Sequence, residues 1–238
     1  MGSLHPRTRV RRRRRVSRIV DLSVVVDRTT AAPPAAKGRP VKIEHHRRGP
    51  GHWQVSSIDM LLHTGSHVDS TWHVFSDGRP IADTSLDRVI GDASMIDCSA
   101  VGEREPVDAQ MLDTGARDLR RGDILVIRTG WTDRMWGDFP RFYSGSPYLT
   151  EDAADWLLER EPKALVFDFF EEYSAALQDF TSEDFVIHRK LLGQGLPLVE
   201  QATHLAAVEA DRFTIFAPFF RLDEAEAAPC RIFAVLDP

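Results

Sequence analysis

The chain has 238 residues, a net charge of −6, 42% hydrophobic and 28% charged residues, the profile of an ordinary globular protein large enough for one sizeable core. No run of about 18 apolar residues occurs, which excludes a transmembrane helix, and two cysteines, Cys98 and Cys230, are too few for a disulfide scaffold. Residues 1–18 carry eight arginines and no acid, leaving 22 basic and 36 acidic residues in the remainder, a balance of −14, which is not the pattern of a basic nucleic-acid-binding face.

The arm 1–18 reads as disordered, because such a charge run buries too little apolar surface to offset its ordering entropy. The folded domain is expected over residues 19–238. No apolar segment follows the basic start, so a secretory signal is not expected; with Cys98 and Cys230 as buried reduced thiols, a cytoplasmic protein is the expectation. Neither a membrane nor a nucleic-acid partner is expected, a salt-dependent tether at the arm being the alternative.

Ile19 to Val26 is short and β-branched and predicts a strand. Ala31 to Pro40, rich in Ala, Pro and Gly, predicts a loop. Val41 to Glu44 and Val55 to Leu62 predict strands around the turn Gly49-Pro50-Gly51. A polar, His-rich stretch follows over 63–73, and Ser76-Asp77-Gly78-Arg79-Pro80 predicts a turn. Ala93 to Val101 and Asp123 to Arg128 predict strands, the second entered through Gly122. Thr150-Glu151-Asp152 opens a helix by N-capping, with Ala153, Trp156 and Leu157 as its apolar stripe. Ala164 to Phe167 predicts a strand ending at Asp168. Thr181-Ser182-Glu183-Asp184 opens a second helix, closed by Gly193 and Gly195. Short strands are expected at Pro197 to Val199, Phe213 to Ala217 and Arg231 to Leu236. The pattern predicts one strand-rich α/β domain with a few helices packed outside.

Chemistry concentrates in His63-Thr64-Gly65-Ser66-His67-Val68-Asp69-Ser70-Thr71-Trp72-His73. Three histidines and an aspartate sit at odd positions, so an extended chain projects them to one side. Any one of these histidines is readily explained by ordinary hydrogen bonding, but the set is dense, and neutral imidazoles with a carboxylate suit a borderline divalent ion such as Zn or Mn. The Glu of His-Glu-x-x-His is absent, which excludes that metalloprotease pattern. His188 lies within a helical stretch among Phe185, Val186, Leu191 and Leu192, where a histidine alone reads as core. Glu200 ends an apolar strand, Leu196 to Val199. Spacing alone does not join either to the first cluster. Asp168, Glu171, Glu172 and Tyr173 follow a strand end, where function often lies, with no spacing argument to assign them.

Residues 63–73 resemble the signature His-x-Gly-Thr/Ser-His-x-Asp-x-Pro-x-His of the cyclase family that includes bacterial kynurenine formamidase and isatin hydrolase, matching at every position but Thr71, where Pro is usual. Val20-Asp21-Leu22-Ser23, Ile127-Arg128-Thr129-Gly130-Trp131, Ile187 to Leu192 and Leu196 to Glu200 resemble further blocks of that family. The resemblance implies a swivelling β/β/α fold in homodimers or larger oligomers. It implies that His63, His67 and Asp69 are metal ligands, with Asp69 able to bridge two ions. His188 and Glu200, twelve apart, would complete a site for two Zn or Mn ions per chain, and His73 would be the catalytic histidine. The implied activity is arylformamidase-like cleavage of an amide, lactam or ester bond of a small aromatic substrate by metal-activated water. Two alternatives use the same fold: a polyketide cyclase performing aldol-type closure, and a non-catalytic binding protein. The loop Thr29 to Arg39 lacks the Trp that kynurenine formamidases carry there, leaving Trp53 or Trp72 to take its place and the substrate-binding residues unassigned.

Overall fold

The computed structural model describes residues 17–34 and 39–236. The first half of the chain contributes β1 (Arg18–Asp21), β2 (Lys42–Arg48), β3 (Trp53–Asp59), β4 (His67–Asp69), β5 (Ile90–Asp97), β6 (Pro106–Val107) and α1 (Ala109–Gly115). Next come β7 (Ile124–Arg128), α2 (Trp131–Met135), α3 (Arg141–Ser144), β8 (Tyr148–Leu149), α4 (Glu151–Glu159) and β9 (Ala164–Phe167). The chain closes with α5 (Val186–Leu192), β10 (Leu198–Glu200), β11 (Arg212–Phe216), β12 (Ala227–Pro229) and β13 (Phe233–Leu236).

Nine strands form one mixed sheet in the order β1-β13-β11-β5-β7-β9-β10-β4-β12. Its centre, β5-β7-β9-β10, is parallel, and the flanking pairs are antiparallel. β7 and β9, at the middle of this parallel region, are nearly continuous apolar runs because both faces are covered. Leu125, Ile127, Leu165, Phe167 and Leu198 join the cluster under the helices, where Leu112 of α1, Leu157 of α4 and Leu191 of α5 also lie. Their alternate neighbours Ile124, Val126, Ala164, Val166 and Val199 join a second cluster that runs from Val20 on β1 to Ala228 on β12. One cluster touched by both ends of the sheet means that the sheet curls around it. The strand-rich α/β class with helices packed outside is the one predicted, and the curl of the sheet is what the structure adds.

Several elements differ in extent from the sequence reading. The first strand stops at Asp21 because Leu22 and Ser23 turn to other partners, Leu22 N–H donating to Ile232 O at 2.9 Å and Ser23 bridging to Ala202. It also starts at Arg18, one residue before the expected boundary; residues 1–16 of the arm lie outside the described residues. The expected helix from Thr181 is broken. Thr181 and Asp184 form a capping box on a single 3-10 turn, Ser182–Asp184, and Phe185 (φ −82°, ψ 74°) leaves helical geometry before α5 begins. β2 and β3 pair across the predicted turn, but β2 runs on past Glu44 to Arg48, β3 spans Trp53–Asp59 and stops short of Leu62, and the pair stands apart from the main sheet. Among the described residues no helix is long and apolar enough to cross a membrane. Both cysteines are free, Cys98 buried and Cys230 partly so.

Candidate metal centre

Strand register builds the site. Glu200 on β10 lies opposite His67 on β4, and Leu198 opposite Asp69, so these side chains share a face of the sheet. Val68 and Val199, the intervening residues, point into the cluster enclosed by the curl. By the two-residue period, His67, Asp69 and Glu200 therefore face the helices. α5 then delivers His188 to the same place. All four are at most 3% exposed.

His63 and His73 arrive by turns and not by extension of the strand. His63 lies within the tight turn closed by Thr64 N–H to Leu61 O at 3.0 Å. Gly65 has φ +76°, and a Cβ there would lie 2.2 Å from Val26 Cγ2, so both conformation and space require glycine. His73 ends the 3-10 turn Thr71–His73, tied by its N–H to Ser70 O at 3.1 Å. Thr71, standing where Pro is usual, does not leave this turn loose: its hydroxyl accepts Arg79 N–H at 2.8 Å.

The hydrogen bonds fix which nitrogens carry lone pairs. His67 Nδ1 is 2.8 Å from Gly65 O, so it donates there and leaves Nε2 free. His63 Nε2 faces Glu226 Oε1 at 3.1 Å and donates to it, so Nδ1 is the nitrogen turned to Asp69 and is free as a ligand when the ring is neutral. The two free nitrogens are 3.2 Å apart, and Asp69 Oδ1 lies 2.9 Å from one and 3.3 Å from the other. Ligands about 2.0–2.2 Å from one ion stand roughly 3.0–3.4 Å from each other. Neither Asp69 oxygen has a hydrogen-bond partner despite full burial. Two imidazole nitrogens and a carboxylate converging in a buried site call for a cation between them, a proton in the metal-free chain or a metal ion in its place, and their ligand-like spacing fits a metal ion.

The second group is His188 and Glu200, with Nε2 to Oε1 at 2.9 Å. Glu200 Oε2 is 3.8 Å from His67 Nε2, which connects the two groups. Glu172 accepts both the main-chain N–H of His188 at 2.7 Å and its Nδ1–H at 3.0 Å, turning Nε2 toward Glu200. Potential ligand atoms of His63, Asp69 and His73, of His67, Asp69 and Glu200, and of Glu171, His188 and Glu200 lie within 4.8 Å of one another in each set.

The charges follow from this crowding. Burial works against a charged His63, but the Asp69 carboxylate outweighs it and raises the imidazole to about 10 in the metal-free chain. Burial likewise opposes an ionised Asp69, yet His63 and His67 hold it well below the ordinary carboxylate range. Burial pushes His73 down to about 4, with Asp69 opposing that shift, so His73 is neutral at physiological pH. Burial, reinforced by the nearby Glu200 charge, raises Glu171 well above the ordinary range.

Of the residues after β9, Asp168 is a structural tie. Its carboxylate accepts Thr129 N–H at 2.8 Å, the Thr129 hydroxyl at 2.7 Å and Gly130 N–H at 2.7 Å. Tyr173 is half exposed and packs on Tyr148, with ring centroids 4.8 Å apart. Glu171 and Glu172 are at the centre. Glu226, on the approach to β12, is the residue that sequence reasoning missed. It lies 163 positions from His63 in a stretch of alanines and acids with no periodic signal. Trp72 is 37% and Trp53 72% exposed.

Fold and site together define an α/β protein with a buried histidine–carboxylate centre of metal-ligand character. The family model described as Putative cyclase matches residues 20–171, and the chain belongs to that family. It is 23% identical over 227 residues to kynurenine formamidase of Bacillus mycoides (strain KBAB4), covering 94% of this chain and 99% of that protein. Isatin hydrolase A of Labrenzia aggregata shares the fold with a TM-score of 0.76 at 20% identity, over 93% of this chain and 94% of that one. A structure described as a potential metal-dependent hydrolase with cyclase activity gives 0.73 at 18% identity, over 94% of this chain and 100% of that one.

Proposed function

We propose that this protein is a metal-dependent hydrolase that cleaves a non-peptide carbon–nitrogen bond, or an ester, of a small aromatic substrate, in the manner of the formamidase and isatin hydrolase it resembles. The observation that carries this reading is the convergence of His63 Nδ1, His67 Nε2 and Asp69 Oδ1 within 2.9–3.3 Å, with no hydrogen-bond partner for the carboxylate. Two divalent cations, Zn or Mn, would be held by His63, His67 and Asp69 and by His188 and Glu200. When bound, such ions supply Lewis acidity and lower the pKa of water.

The chain's own residues do the remainder. His67 and His63 are locked in one tautomer by Gly65 O and Glu226, so their ligand nitrogens need no reorganisation. His73 stacks beside His63, with ring centroids 4.1 Å apart, and stands 5.7 Å from His188. Neutral and enclosed, it accepts a proton and passes it to the leaving nitrogen or oxygen. The reading extends to a cytoplasmic protein acting as a homodimer or larger homo-oligomer, the assembly drawing on the exposed β2–β3 hairpin.

Elemental analysis of the purified protein beside a His63→Ala, Asp69→Ala double variant tests the reading. Two equivalents of Zn or Mn per chain, lost in the variant, support it and direct a screen of aryl formamides, lactams and esters. No metal after reconstitution overturns it in favour of a binding protein on the same fold. His73→Ala should lower kcat by about 10²–10⁴-fold, the usual contribution of a general acid–base group, at unchanged metal content. Loss of metal with that substitution would make His73 a ligand.

A further inference from the structure

Three glutamates surround His188, and only two of them have an evident task. Glu172 orients the ring and the start of α5 through two hydrogen bonds. Glu200 faces Nε2. Glu171 is 0% exposed, and neither of its oxygens has a hydrogen-bond partner. Its main chain is held in place by Leu149 N–H donating to Glu171 O at 2.9 Å. Glu171, His188 and Glu200 each offer a ligand atom within 4.8 Å of the other two, and Glu171 Oε1 also lies 3.3 Å from His188 Nδ1, the nitrogen that donates to Glu172. A carboxylate sealed from water without a partner is strongly unfavourable, so a fold keeps one only where a cation or proton meets it.

Charge counting points the same way. Asp69, Glu171, Glu172 and Glu200 are four carboxylates at 0–3% exposure. Among the described residues their ion-pair partners are all histidines; no lysine or arginine pairs with any of them. Two divalent cations balance four carboxylates. Without Glu171, three buried carboxylates would face the four positive charges of two divalent cations.

We propose that Glu171 is a protein ligand of the second metal position, beside His188 and Glu200. This rests on the metal-dependent reading above and adds a residue to it. The consequence is a difference between the two positions. The first has two imidazoles and one carboxylate, a set that suits Zn. The second has one imidazole and the carboxylates of Glu171 and Glu200, a harder, oxygen-rich set that suits Mn.

The test is Mn2+ titration of the chelator-stripped full chain by calorimetry, with bound metal counted after gel filtration, for the wild type and Glu171→Gln. The glutamine is nearly the same shape but carries no charge. The expected result is two Mn2+ equivalents in the wild type. In Glu171→Gln one of them weakens at least tenfold while the other is unchanged. A second measurement separates ligation from a structural role: the metal-free variant should melt within a degree or two of the metal-free wild type, because the amide fills the same buried space and Glu171 has no hydrogen-bond partner to lose. A Glu171→Gln chain that binds two equivalents with wild-type affinity overturns the ligand assignment alone. A metal-free variant that melts lower and loses affinity at both positions makes Glu171 structural and overturns it as well. A wild type that binds no metal overturns both this assignment and the reading beneath it.

Discussion

Glu226 acts on the first metal position without entering it. Its Oε1 takes the Nε2–H of His63 at 3.1 Å, and that hydrogen bond holds the Glu226 carboxyl below its ordinary range. A ligating imidazole whose far N–H rests on a carboxylate keeps its tautomer and angle and becomes more basic. Removing such a partner commonly costs about 10–100-fold in metal affinity. Glu226→Ala should therefore weaken the first position by about that factor and leave the second unchanged, as read by chelator competition with Zn2+. Equal affinity in the variant would mean that Glu226 is a solvated acid that merely lies near His63. The same contact shows how far the sequence reaches at this scale. His63, His67, Asp69 and His73 fall within eleven residues and announce themselves by density. His188 and Glu200 are isolated residues in apolar segments, joined to the first group only by family resemblance. Glu171, Glu172 and Glu226 look like any acids near a strand end, because what distinguishes them is which histidine each comes to lie beside, and for Glu171 full burial without a hydrogen-bond partner, which long-range packing decides.

At the level of elements, legibility followed length and periodicity. β7 and β9 are continuous apolar runs whose alternate residues feed two cores, and α4 has both a Thr150 cap and a stripe. α2 and α3, of five and four residues, contain too little chain to show a 3.6-residue period. β12 has three residues and exists by pairing with β4. The break at Phe185 came from packing, since its ring lies 5.6 Å from His188 and stacks on it. One tie between elements carries its own prediction. Arg212 on β11 grips Asp123, the residue before β7, with two nitrogens, one of them at 3.0 Å from Oδ1, while Ser94 of β5 donates to Asp123 Oδ2 at 2.6 Å. Burial opposes ionisation of Asp123, but Arg212 and Ser94 outweigh it and hold its pKa below 3.8. A depressed folded pKa means that the stabilisation is present above the unfolded value and is lost as pH falls through the folded one. Asp123→Asn should cost about 2–3 kcal/mol in urea unfolding at pH 7, slightly under the range for breaking a buried pair because the Arg212 side chain stays 18% exposed. The gap from wild type should shrink below about pH 4. A gap that is constant with pH would assign the cost to packing and not to charge.

On the scale of the whole molecule, the curled sheet and its helices hold the two buried cores, and the β2–β3 hairpin stands apart from both. Its seven-residue strands pair from Lys42 with Asp59 to Arg48 with Trp53, yet nearly every residue is exposed. The register puts Val55, opposite His46, and Trp53, opposite Arg48, on one face and Ile58 with Ile43 on the other. Trp53 is 72%, Ile58 55% and Val55 43% exposed. A two-stranded hairpin in water is at best marginally stable, and clustered exposed apolar residues mark contact surfaces. The charged residues along it, Lys42, Glu44, Arg47, Arg48 and Asp59, are of mixed sign, which disfavours a strongly basic or acidic partner and suits a self-complementary one. We propose that this arm packs against a second copy of the chain. Light scattering on the eluted protein should give a dimer or larger species, and Trp53→Ser with Val55→Ser should shift it to monomer at unchanged metal content, since the hairpin carries none of the ligands. A wild type that elutes as a monomer at micromolar concentration would remove the second copy as the hairpin's partner. A variant that keeps its oligomeric state would place the interface elsewhere on the sheet or helices.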